Sequence, residues 1–172
     1  MEYIFTLKYR LADDADADEL VERLGSEGCN DALIGLGMPG RLALEFSREA
    51  NSAREAIVSA LADVKRAVPC AKLIEACPDF VGLSDVAAAV GMSRQNMRKL
   101  MVSSHNFPSP VHEGSAVVWH LADVLTWLDA KGAHQIEKSL LEVSSTAMQL
   151  NFAKETRQQG AMIAQDIWAL TG

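Results

Sequence analysis

The chain has 172 residues, 49% hydrophobic and 23% charged, the balance of a soluble globular protein with room for one large domain or two small ones. Its formal charge of −7 excludes a protein that coats nucleic acid indiscriminately, a role that needs a basic surface, but not one with a single basic docking face. The acidity is uneven: residues 1–79 carry nine Lys/Arg against fifteen Asp/Glu, a net of −6, and residues 80–172 carry seven against eight, a net of −1.

In chain order, Tyr3 to Tyr9 (YIFTLKY) alternates apolar and polar side chains and reads as a strand. The acidic ADDADADE that follows supplies an N-cap and first-turn carboxylates for a helix carrying Leu20, Val21 and Leu24, ended by Gly25 and Gly28. As a metal cluster this run lacks the glycine and terminal glutamate of a calcium loop. Ala32 to Met38 and Arg41 to Ser47 are apolar runs separated by Pro39-Gly40, a turn signature that makes them a hairpin. Ala53, Ala56, Ile57, Ala60, Leu61, Val64 and Val68 then recur at helical spacing, with Ser52 as cap and Pro69 as stop. Ala71 to Ala76 is a last short strand. The order β-α-β-β-α-β is the split β-α-β arrangement of ferredoxin-like folds, and it defines an N-terminal domain over residues 1–78.

Pro78 marks a boundary. Leu83, Val86, Ala87 and Val90 supply the buried face of a short helix, and Gly91 makes the turn after it. Met92, Met97 and Leu100 supply the inner face of a second helix, Ser93 to Ser103, with Ser93 as its N-cap. Two helices joined in this way are a helix-turn-helix. The outward positions of the second helix are then Arg94, Gln95, Asn96, Arg98 and Lys99. Arg94/Arg98 and Gln95/Lys99 are i, i+4 pairs on adjacent ridges. Arginine, glutamine and asparagine are also the side chains that make bidentate contacts with guanine and adenine edges. Like charges four residues apart disfavour an isolated helix, a cost that phosphates or bases would offset.

Phe107 to Leu121 (FPSPVHEGSAVVWHL) fits a two-stranded wing: Val111 begins one strand, His112-Glu113-Gly114-Ser115 forms the tip, and Val117 to Trp119 returns. A helix with Leu121, Val124, Leu125 and Leu128 on one side follows; Trp119 in the return strand and Trp127 in this helix each sit in an apolar periodic segment and read as core residues. The sequence LSDVAAAVGMSRQNMRKLM, then FPSPV, a tight turn and VVWHLADVLTWL resembles the winged helix-turn-helix of AlpA-like and excisionase-like regulators, relatives of the MerR DNA-binding domain. The resemblance covers about Val81 to Lys131. It implies that the Ser93–Ser103 helix enters the major groove, with Ser93, Arg94, Gln95, Arg98 and Lys99 as recognition residues and His112 and Ser115 as wing contacts; the outward position of Asn96 adds it to the expected DNA-binding set. The wing departs from the family, whose wings are often rich in Arg or Lys, by offering His112-Glu113.

The odd set Cys29, Cys70 and Cys77 contains no C-x-x-C pair, which disfavours a disulfide framework or structural zinc site and fits a reducing cytoplasm. MEYIFTLKYR is no signal peptide, and no apolar run approaches the roughly 20 residues that span a bilayer. His105, His112, His120 and His134 match no standard zinc spacing, and no phosphate loop or nucleophile elbow is visible, so no metal, cofactor or catalytic residue is expected. In the tail, Ile136, Leu140, Val143, Ala147 and Leu150 are spaced 4-3-4-3, the interval of a coiled-coil seam. Ile163, Ile167 and Leu170 continue in kind beyond Gly160.

These readings give an α+β chain with three parts: a ferredoxin-like βαββαβ domain over 1–78, a winged helix-turn-helix over 79–132, and a helical dimerisation tail over 133–172. The expected function is sequence-specific binding of double-stranded DNA by a cytoplasmic homodimeric transcriptional regulator, nucleoid-associated when bound, with a protein partner or small effector at the N-terminal domain and no membrane. The alternatives are a protein-interaction or ligand-sensing adaptor whose winged domain does not bind DNA, and an excisionase-type architectural factor.

Overall fold

Side-chain alternation in the first strand sets the layers of the molecule. In the computed structural model, which describes residues 1–12, 16–132 and 135–159, β1 (Glu2–Arg10) buries Tyr3, Phe5, Leu7 and Tyr9 on one face. β3 (Arg41–Glu49) does the same with Leu42, Leu44 and Phe46. Together with β2 (Ala32–Gly35) and β4 (Lys72–Cys77) they form an antiparallel sheet of order β2-β3-β1-β4. The helices α1 (Ala17–Ser26) and α2 (Ala53–Ala67) add Leu20, Leu24, Ala56, Ile57, Ala60 and Val64 to the same core. Their starts follow the sequence, since Asp16 caps the amides of Asp18 and Glu19, and Ser52 caps that of Glu55. The protein is α+β, and the other face of this sheet, with Ile4, Lys8, Arg10, Arg41 and Glu45, is open to solvent.

Two local expectations change. Val21 is exposed, because Leu20 and Leu24 alone fill the α1 side of the core. β2 ends at Gly35 and not near Met38, so the connection to β3 is longer than a Pro-Gly turn; Gly40, at φ +69°, still closes it, with Arg41 N–H donating to Met38 at 3.0 Å.

One buried cation ties the helical layer together. All five N–H donors of Arg48 are used: two on Asp31 at 2.7 and 2.9 Å, one on Asp63 at 2.7 Å, one on Ser59 at 3.0 Å and one on the Gly28 carbonyl at 3.0 Å. The hydrogen bonds that Arg48 donates to Asp31 lead in pushing its pKa above the ordinary arginine value. Gly28 sits at φ +105°, and a Cβ there would stand 3.3 Å from the Asp63 carboxylate, so the position wants glycine on both counts.

The second core belongs to β5 (Phe80–Val81), α3 (Leu83–Ala89), α4 (Arg94–Ser103), β6 (His112–Glu113), β7 (Val117–His120) and α5 (Leu121–Lys131). Its sheet has the order β5-β7-β6. The two-residue β5 was not expected; its Val81 pairs with Trp119 and carries too little pattern to be seen alone. Trp119 is buried and donates to the Pro108 carbonyl at 3.0 Å, and Phe107 meets both Trp119 and Trp127 edge-on. Trp127 is partly buried against the same cluster.

The last helix, α6 (Lys138–Gln159), corrects the reading of the tail. Ile136 and Leu140 pack against the second core, and Val143, Ala147 and Leu150 against the first. The stripe expected to meet a second subunit is therefore occupied within the chain. Its continuation at Ile163, Ile167 and Leu170 lies outside the described residues. α6 also closes the β4 edge. Asn151 Oδ1 accepts the Ala76 N–H at 2.9 Å and its Nδ2 donates to the Ala76 carbonyl at 2.9 Å, as a neighbouring strand would, while Lys154 reaches the Ile74 carbonyl.

The parts meet at Asp79, which is 1% exposed. Its carboxylate takes Asn151 Nδ2 at 2.7 Å and His120 Nδ1 at 2.6 Å, and its carbonyl accepts the Leu121 N–H at 2.8 Å. The His120 ring lies between Phe80 and Phe152, each 5.1 Å away. Replacing Asp79 with Ala would leave two buried donors unpaired, so we expect a loss of about 2–6 kcal/mol in urea unfolding. A loss under about 1 kcal/mol would show that water replaces the carboxylate.

Tyr3 donates to Glu142 at 2.9 Å, and this bond, aided by Lys138, holds the Glu142 carboxyl below its ordinary value despite partial desolvation. A depressed carboxyl stabilises the fold above its unfolded pKa and ceases to do so as pH falls through its folded pKa. The stability gap between the native chain and Tyr3→Phe should thus be largest near neutrality and shrink toward about pH 3, measured by urea titration at both pH values. A constant gap would contradict the coupling.

Candidate nucleic-acid interface

The geometry of the α3–α4 pair starts from its turn. α3 opens with the Gly82 N–H donating to the Asp85 carboxylate at 2.9 Å and ends with the Met92 N–H on the Ala87 carbonyl at 2.8 Å. That second bond requires Gly91 to take φ +66°. Ser93 then caps α4, accepting the Asn96 N–H at 3.2 Å. Met97, fully buried with Val86 and Ala87, seats α4 on a core shared with Val124, Leu125 and Leu128 of α5.

With Met97 pointing inward, the 100° step of a helix fixes what faces out. Gln95, Lys99 and Val102 lie farthest from the core, Arg94 and Arg98 form one shoulder, and Asn96 and Ser103 form the other. Ser93, Arg94, Gln95, Asn96, Arg98 and Lys99 are all exposed. Among the described residues, none of Arg94, Arg98 and Lys99 has an ion-pair partner. The structure thus brings these six residues together on one helix, split by Lys99 into two slopes.

Where a wing is expected, the structure has a minimal hairpin of β6 and β7. His112 pairs with Val118 and Glu113 with Val117, so both residues belong to the strand, and the tip is Gly114–Ala116, not 112–115. β7 also runs one residue farther than expected, to His120. His112 and Ser115 are exposed. The His112 ring folds over the tip: a Cβ on Gly114 would lie 2.7 Å from its Nε2, a contact that the exposed ring could relieve by turning away.

No family model matches the chain, and no curated protein or solved structure matches it significantly. What the site can do must therefore be read from its own side chains.

Two residues of the face escape a sequence reading. Val102 is 72% exposed, an apolar side chain beside Lys99 and Arg98 that an eye for polar contacts passes over. Lys131, at the far end of α5, lines a groove with Asn96, Lys99 and Ser103; its ammonium bonds Ser104 at 3.2 Å and stands 4.3 Å above the Trp127 ring. Only its place in space joins it to α4.

Other chemistry is scarce. Burial pushes the Cys29 and Cys77 thiols up to about 11, far from the thiolate that a nucleophile needs. Among the described residues, no three His, Cys, Asp or Glu side chains gather as a metal site, and no helix is long and apolar enough to cross a membrane.

Nothing lies within 4 Å of a Cβ built on Gly91, so alanine there would meet no clash and only the backbone would object. Gly91→Ala should cost about 1–2 kcal/mol in chemical denaturation. An unchanged midpoint would mean that the turn relaxes without left-handed backbone.

Proposed function

We propose that the chain binds double-stranded DNA sequence-specifically, with α4 in the major groove and the wing on the flanking backbone, as a transcriptional regulator. The observation that carries this reading is the outward side of α4: Arg94, Gln95, Arg98 and Lys99 exposed and without acidic partners among the described residues, on a helix anchored by the buried Met97. Guanidinium and amide groups so placed can address guanine and adenine edges, and Val102 can touch a thymine methyl. Lys131 adds a cation for a phosphate beside Lys99.

A single module of this size reads few base pairs, so pairing of two chains on a pseudo-palindromic site belongs to the same proposal. Because the α6 stripe is taken up internally, that pairing would use another surface. Location in the cytoplasm, on the nucleoid when bound, follows from the same reading. The rival adaptor reading draws on Glu113 in the wing and on the overall charge of −7.

Gel-shift against total genomic fragments at several salt concentrations separates the two. At the selected site, Arg94→Ala and Arg98→Ala should each cost about 1–3 kcal/mol. Lys131→Ala should weaken binding uniformly across sequences and lower the salt slope by about 1. Binding unchanged by both arginine substitutions would overturn the docking mode, and no shifted fragment at low salt would favour the adaptor.

A further inference from the structure

The open face of the four-stranded sheet carries a feature that DNA binding by α4 leaves unused. Arg41 of β3 and Lys72 of β4 are both register partners of Arg10 of β1, so three cations form one row across adjacent strands. All three are exposed, and none has an ion-pair partner among the described residues. Like charges directly opposite one another destabilise a sheet. This row stands in the half of the chain with an excess of six acidic residues (nine Lys/Arg against fifteen Asp/Glu over residues 1–79), where placing acids beside it would be simple.

Immediately inward the chemistry changes. The register slips between Lys8 and Tyr9, leaving Ile74 as an extra residue of β4. Gly35 pairs with Ala43, and these small residues keep the sheet surface low between Met38, which is largely exposed, and Ile74. The result is an apolar groove of about 370 Å³ with Lys8 and Arg41 in its lining. Lys8 is already held by Glu75 at 3.1 Å, so the uncommitted charge at this end belongs to the row. A volume of this order suits a small molecule.

We infer that this face binds a small amphipathic anion, its apolar body in the groove between Met38 and Ile74 and its acid group on Arg41 and Arg10, with Lys72 beside them. A polynucleotide fits worse. Glu2, Glu45, Glu49 and Glu75 share the face, and its strand positions hold no aromatic side chain on which bases could stack. The inference is independent of the reading of α4 and stands or falls without it.

Amide NMR titration of the full chain with octanoate tests it, with octanol supplying the body without the charge and acetate the charge without the body. Octanoate should move the amides of Gly35, Met38, Ala43 and Ile74 and saturate, with octanol and acetate about tenfold weaker or worse. The double variant Arg10→Gln, Arg41→Gln should lose about tenfold in octanoate affinity or more, yet melt at a higher temperature than the native chain when free, because its repulsion is relieved. A merely structural row would give the opposite shift in melting and overturn the inference. So would equal responses to octanoate and octanol, shifts scattered over the surface, undiminished binding by the double variant, or displacement of these amides by protein concentration or by duplex DNA alone.

Discussion

A carboxylate sealed from water must be met by donors from its own chain, and Asp79 draws them from far away in sequence. His120 lies 41 residues on and Asn151 lies 72 residues on. Because both bonds end on one side chain, the start of β5, the junction of β7 with α5 and the middle of α6 are fixed relative to one point. Phe80 and Phe152 flank the His120 ring, and Asp79 itself is 1% exposed, so its bonds form out of water, where they are strongest. The rest of the architecture follows from this constraint. With Asn151 drawn to Asp79, its amide is also in register with Ala76 and completes the β4 edge, and the α6 stripe falls along the seam between the two cores.

The two halves therefore differ in charge but not in mechanical independence. An acidic sheet-and-helix layer and a nearly neutral layer built on α3, α4 and α5 share a single long helix. The positive side of α4 is produced locally, by leaving acids out of one ten-residue segment, and not by the overall balance of the chain. That is how a protein of net negative charge can still offer a cationic ridge. Its seat on Met97 fixes the ridge relative to the core without spending any of the outward residues on packing.

Much of this was legible in the residues. Strict alternation in YIFTLKY, the Ser52 and Ser93 caps, and the glycine turn at Gly91 are local signals, and each landed where local physics puts it. Partner identity was not legible in α6. A 4-3-4-3 spacing states that one side of a helix is covered, and the same spacing serves a second subunit or the chain's own cores. Asp79, His120 and Asn151 are unremarkable one by one, since nothing in a sequence marks residues so far apart as neighbours. The outward set of α4 was readable because it is defined by what the inner positions exclude, whereas Lys131 joins it only through the path of α5. Val102 was missed because apolar residues are read as core by default, and here the 100° step turns one outward.

The Tyr3–Glu142 bond, which spans 139 residues of sequence, and the Val143–Leu150 stripe mean that β1 is completed by a helix made long after it. During translation the N-terminal sheet leaves the ribosome with one flank of its helical side bare and its β4 edge unpaired. It acquires its final cover only when α6 emerges. Between the emergence of β4 and that of Asn151 the growing chain thus carries an unpaired strand edge, the kind of edge on which another strand can add.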